Sequence, residues 1–313
     1  DNDFDYRLIR DDLEPDVSDA EVAIPRDRRT LVEFPAGVDS VRLPVRIVND
    51  RIYVRIDIAG RGLDFLLDTG AAAITIDDSV ARELGLPIYG RTTQTVAGSF
   101  ATGRVVVPSA SVGPLAMHDV VMRTVPFSAS EAKTVRVVGL LGYDFLCSLA
   151  LKIDYVAGTI EALRPGALVP PPGAGTLDVR LNSGAPVARA TVGNATGDDF
   201  IIDTGAAFSY VIFQRFARAH PDALEIGGKE SYGTGVGGTF GYRSIASKKV
   251  VLGPWSFEDA AGVEALSANA FGFDNEDGLI GADILKRFTV YLDYPGGRVF
   301  LAPAPRVGMA ATH

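Results

Sequence analysis

One tripeptide, written twice, constrains this chain more than any other feature. Residues 65–73 read FLLDTGAAA and residues 200–207 read FIIDTGAA. In each, an apolar run of strand length delivers one aspartate, one threonine and one glycine, the pattern of a buried strand ending in a tight turn. Glycine admits a bend that a Cβ would obstruct. A carboxylate at the end of a buried strand is costly unless it is paired or hydrogen-bonded. Two of them, Asp68 and Asp203, in matching surroundings predict that each is the other's partner.

The spacing of other landmarks extends the match. Asp68 and Asp203 are 135 residues apart, Gly98 and Gly238 are 140, Gly142 and Gly281 are 139, and Asp154 and Asp293 are 139. Offsets that agree within five residues predict an internal duplication with small loop insertions. Two similar lobes pack most simply about a pseudo-twofold axis, and an axis between two copies of one turn brings the aspartates together. The expected organisation is an N-terminal arm over 1–40, a first lobe over 41–163, a Pro/Gly-rich linker at 164–175 (RPGALVPPPGAG), a second lobe over 176–302 and a tail over 303–313. The arm carries ten acidic residues and five arginines in its first 29 positions. That composition reads as a solvated segment, with a pro-segment offering Arg26, Arg28 and Arg29 to the carboxylates as the alternative.

Within each lobe, short alternating or continuous apolar runs are separated by turn residues, which predicts an all-β fold with a few short helices. VRLPVRIV, RIYVRIDIAG and LDFLLDTG read as strands, and ITIDDSVARELGLPI as a strand that turns helical, capped by Asp78 or Ser79 and stopped at Gly85. VIFQRFARAH reads as the helix of the second lobe. TQTVAGSFATGRVVVP and YGTGVGGTFGYRS read as hairpins with glycine tips.

Two carboxylates held about 3 Å apart cannot both ionise, so they share a proton. A water between them meets a base and an acid at once, which is the arrangement for general acid–base hydrolysis without a covalent intermediate. Thr69 and Thr204 are placed to hydrogen-bond across the axis, and Gly70 and Gly205 let their N–H groups approach the carboxylates. The hairpin tips, Val96, Ala97, Gly98 and Ser99 in one lobe and Val236, Gly237, Gly238 and Thr239 in the other, are positioned to close over a substrate as flaps.

On these motifs the chain resembles the retropepsin-like and pepsin-like aspartic proteases, with both halves fused, over roughly residues 41–302. The likeness rests on DTGA at 68–71 and 203–206 and on LLGYDFL at 140–146 and LIGADIL at 279–285. It implies two similar β-barrel lobes and an aspartic endopeptidase with Asp68 and Asp203 as its dyad. It also implies extended protein segments with apolar residues around the cut as substrates. Tyr143 and Ala282 stand where viral members begin a helix with Arg, so the ion pair used there is absent. A peptide-binding or inhibitor module without catalysis, or a zymogen masked by residues 1–40, is the competing expectation.

Other signals point elsewhere and are weaker. A net charge of −9 argues against nucleic acid and against anionic membrane surfaces. No apolar run reaches the roughly 20 residues of a membrane-spanning helix. His118, His220 and His313 lack metal-ligand spacing, and hydrolysis by an aspartate pair needs neither a metal nor an organic cofactor. Gly233, Gly235 and Gly238 match a dinucleotide pattern, but strand-like residues follow where a helix is required. Cys147, the sole cysteine, sits in an apolar run and reads as core. The oligomeric state is open, since a monomer holds both aspartates. The expected location is periplasmic or secreted.

Overall fold

The apolar runs fold into strands at the expected places. A computed structural model describes residues 32–96, 98–127, 135–222, 224, 226–236, 238–267, 271–273 and 275–304. The acidic stretch 1–29, the flap residues Ala97 and Gly237, and His313 lie outside the described residues. Among those described, the secondary structure is β apart from four short helices.

Strands between Val32 and Leu141 form a nine-stranded sheet, and strands between Val179 and Ile280 form an eight-stranded one. Each lobe is built around a matching hairpin. Arg51–Ile58 pairs with Arg61–Leu67, placing Tyr53 opposite Leu66, and Ala185–Val192 pairs with Ala195–Ile202, placing Val187 opposite Ile201. The second strand of each hairpin ends at an aspartate. A parallel partner then flanks it: Val137–Leu141 in the first lobe and Gly278–Ile280 in the second.

A third sheet, six-stranded, draws on both halves. Its central pair is Ala150–Asp154 against Phe288–Asp293, antiparallel, with Lys152 opposite Tyr291. These are matching segments of the two lobes, and antiparallel pairing of like with like is what a twofold axis produces. The segment Ser40–Arg42 closes one edge, while Gly175–Leu177, which follows the Pro/Gly stretch, pairs with Arg298–Pro303 at the other. One apolar core runs through both lobes, with Ile56, Phe65, Phe145, Phe200 and Phe216 fully enclosed.

The first-lobe helix spans Asp78–Glu83, and its cap is Asp77, whose Oδ1 accepts from the N–H groups of Ser79 and Val80. The cap therefore lies one residue before Asp78. Asp77 is the last strand residue, extended in backbone, which is the conformation a capping side chain needs. Gly85, at a φ of +70°, ends the helix as expected. The second-lobe helix spans Gln214–Ala219.

Both glycine hairpins form. Tyr89–Val96 pairs with Gly98–Val112, and Ile226–Gly235 pairs with Gly238–Leu252. Asp154 and Asp293 each end a strand and hold the turn after it: Asp154 accepts from the Ala157 N–H and Asp293 from that of Gly296. Cys147 is half-buried behind the short helix Tyr143–Leu146.

Candidate active site

Each DTG turn is held from behind by its parallel strand. The Asp68 N–H donates to the Leu141 carbonyl at 3.2 Å, and the Asp203 N–H to the Ile280 carbonyl at 2.9 Å. The chain then passes through Gly142 and Gly281. A Cβ at Gly142 would stand 2.4 Å from the Ala71 carbonyl oxygen, and one at Gly281 would stand 2.2 Å from that of Phe208. Only glycine fits under these turns, which explains the apolar-apolar-Gly element in both lobes. The next residues complete the clamp, with the N–H groups of Tyr143 and Ala282 donating to the carbonyls of Ala71 and Ala206 at 2.8 Å.

The two turns are locked to each other by their threonines. The Thr204 N–H donates to Thr69 Oγ1 at 2.9 Å, and the Thr69 N–H to Thr204 Oγ1 at 3.2 Å. Each hydroxyl then donates onward into the opposite lobe, Thr69 to the Ile202 carbonyl and Thr204 to the Leu67 carbonyl. Both threonines are wholly enclosed, so every one of these groups would be orphaned without its partner. Gly70 and Gly205 donate their N–H groups to the Oδ1 atoms of Asp68 and Asp203 at 2.8 and 2.7 Å.

This lattice brings the two carboxylates together, and their side chains hydrogen-bond to each other. Burial first, then the nearby charge of Asp203, holds the Asp68 carboxyl well above the usual range. Burial also raises Asp203, but less freely. The N–H groups of Gly205 and Ala206, the hydrogen bond from Asp68 and the Arg51 guanidinium all pull it back down. Arg51 lines the cleft on the first lobe only. The matching hairpins, with left-handed turns at Asn49–Asp50 and Ser183–Gly184, place Ala185 in its position in the second lobe. So two lobes of like architecture present an electrostatically unequal pair.

The dyad opens into a cleft of about 490 Å³. Of the expected flap residues, Val96 and Val236 line it, whereas Gly98, Ser99, Gly238 and Thr239 continue the hairpin ladders instead. Gln94, Phe100, Thr234, Gly235 and Phe240 also line it; Gln94 and Phe100 are cross-strand partners on the same face as Val96, while the second flap presents consecutive residues at its tip. The flaps reach across the molecule. Val236 of the second lobe packs on the first-lobe cluster of Tyr53, Leu66, Val135 and Leu140. Val96 of the first lobe stands over Gly272 of the second, where an added Cβ would meet it at 3.3 Å. The second-lobe wall is aromatic: Phe271 and Phe273 stack on Phe213, Phe240 tilts against Phe271, and Phe208 packs in the same cluster. Tyr242 joins that wall, edge-on to Phe208, while Tyr232 is exposed.

Some of this site is not legible in the sequence alone. Tyr155 and Tyr294, in matching positions, bury hydroxyls that have no hydrogen-bond partner among the described residues. Burial and the dyad's charge push both phenols upward. The repeated Asp-Tyr pair at an offset of 139 was the signal available. Arg51 and Glu276 also line the cleft, and both break the match between lobes. Among the described residues, no group of His, Cys, Asp and Glu has the arrangement of a metal site. No helix there is long and apolar enough to cross a membrane.

The chain matches the aspartyl protease family model over residues 54–145, the stretch that runs from the first DTG hairpin to the helix behind it. No curated protein matches it. Among solved structures, the aspartic proteinase from Irpex lacteus superimposes with a TM-score of 0.51 at 13% identity, covering 85% of this chain and 97% of the other. Basic 7S globulin from soybean aligns over 85% of this chain and 96% of its own, with a TM-score of 0.48 and 11% identity. The first likeness shows the fold: this is an all-β, two-lobed chain of the pepsin-like aspartic protease architecture. Family match and fold together support an aspartic protease function in general terms.

Proposed function

We propose that this chain, folded as an aspartic protease, is an endopeptidase in which Asp68 and Asp203 activate a water between them. The observation that carries the reading is the reciprocal threonine lattice, which fixes two buried carboxylates face to face at the floor of a flap-covered cleft. A structural role alone would not leave two acids adjacent, because like charges in a buried site oppose folding.

The pair works as a unit with one proton. Burial holds both carboxyls above their usual range, and the Arg51 guanidinium draws charge toward the Asp203 side of the pair. A peptide lies extended between dyad and flaps. The charged carboxylate takes a proton from water as the oxygen attacks the scissile carbonyl, and the protonated one gives its proton to the carbonyl oxygen. Proton return to the amide nitrogen then releases the amine and restores the dyad. The flaps exclude bulk solvent during these steps. Apolar walls on both sides of the dyad favour apolar residues around the cut.

Cleavage of a mixed peptide library, read by mass spectrometry from acid to neutral pH, tests this, with Asp68→Asn alongside. Cuts that disappear in the variant are expected. Cuts that survive it, or a wild type that binds peptides without cutting any, would replace this reading with a contaminant or a silent binding module respectively.

A further inference from the structure

The cleft holds one carboxylate that the proton chemistry does not use. Glu276 lines it, is only 5% exposed, and lies on the loop that leads into the parallel strand Gly278–Ile280. Its Oε1 accepts from Asn182 Nδ2 at 2.5 Å and its Oε2 from the Asn275 N–H at 3.2 Å. Neither donor is a cation, and no ion pair forms to Glu276 among the described residues.

Three other buried carboxylates each face an arginine. Asp277, the next residue, faces Arg215 at 3.7 Å; Asp293 faces Arg298 at 2.6 Å; Glu264 faces Arg243 at 4.0 Å. A buried charge without a countercharge is disfavoured, and an incoming cation relieves the penalty. The surroundings suit one. Phe271 and Phe273, a few residues before it in the chain, line the same cleft. Aromatic faces accept the methylene stem of a long basic side chain and attract its charged head.

The two lobes disagree at this position. The offset of 139 that relates Gly142 to Gly281 sets Glu276 against Val137, which also lines the cleft and packs in the first-lobe apolar cluster. One subsite is therefore walled by a valine and its counterpart by a carboxylate.

We propose that Glu276 makes the second-lobe side of the cleft a subsite for a basic side chain, so that this protease prefers substrates with Lys or Arg at one position near the cut. The inference rests on the endopeptidase reading above. An acid at that point selects by charge, and the apolar first-lobe side does not.

The test uses N-terminally acetylated peptides, so that the only ammonium is a side chain's. A cleavable apolar parent carries Lys or the uncharged linear norleucine at each position in turn on either side of the cut. Wild type is expected to show a kcat/KM ratio of Lys over norleucine of at least about tenfold at one position. Glu276→Gln is expected to bring that ratio near one. Gln can retain both contacts if the Asn182 amide turns over, and thermal melting verifies its fold. Lack of preference at every position in wild type, or a preference that survives Glu276→Gln, overturns the inference and leaves the endopeptidase reading standing. Should wild type cut neither series, calorimetry with peptides whose scissile amide is replaced by a hydroxyethylene group decides. Equal binding of the Lys and norleucine forms rejects the subsite, whereas lost catalysis with retained Lys selectivity rejects only the endopeptidase reading.

Discussion

At the residue scale, the dyad is a pair of acids whose folded environment prefers the proton. Both carboxyls are raised above the unfolded value, so the native state binds protons that the unfolded chain releases. Their contribution to stability is fully present below the unfolded pKa of about 4 and is lost as pH rises through the folded values. Asp68→Asn removes the charge, so its melting temperature should exceed that of wild type by more at pH 8 than at pH 4. A constant difference across that range would contradict the assignment. Arg51 acts on the other partner. Because it lowers Asp203, Arg51→Gln should move the acid limb of the kcat/KM profile to higher pH, read from rates between pH 3 and 7. The glycines should differ as well. A Cβ at Gly205 would stand 2.6 Å from Asp68 Cγ, whereas one at Gly70 would stand 3.1 Å from Asp203 Cγ. Gly205→Ala should therefore lose about 10²-fold or more in kcat, and Gly70→Ala distinctly less, in a single-peptide assay.

At the element scale, each flap tip touches the lobe opposite its own. Val236→Ser should uncouple the second flap from Tyr53, Leu66 and Leu140, raising KM by about tenfold while kcat falls less, since a closed flap holds substrate and transition state alike. The flaps also mark where sequence was legible and where it was not. Val96 and Val236 stood out because glycine tips announce a hairpin. Gln94, Phe100 and Phe240 did not, because which face of a strand meets the cleft depends on register with a neighbour. Asp68 and Asp203 were legible through their repetition in matching surroundings. Arg51 and Glu276 were hidden for the opposite reason: they are where the match fails, at Ala185 and Val137. A departure at fixed offset is a signal too, but only once the offset is trusted residue by residue.

At the scale of the whole molecule, the six-stranded sheet joins the halves more firmly than the Pro/Gly stretch does. Val169 in that stretch is 83% exposed, while the central strands Ala150–Asp154 and Phe288–Asp293 share a full antiparallel ladder. A single proteolytic nick beside Val169 should leave two fragments that co-elute on size exclusion and melt in one transition. Fragments that separate without denaturant would show that the covalent link is what unites them.

That same ladder has a consequence for biosynthesis. Residues 150–154 emerge from the ribosome 139 positions before their partner, with Ala150, Leu151 and Ile153 all destined for full burial. At ordinary elongation rates the wait is about 7 to 28 seconds. During it the nascent first half carries an apolar strand with one unsatisfied edge, a template for pairing with any other chain of the same kind. The strand Thr159–Leu163 covers its other edge early, within ten residues. Yield in the cell should thus be set by how well holding chaperones shield one edge of five residues until translation catches up.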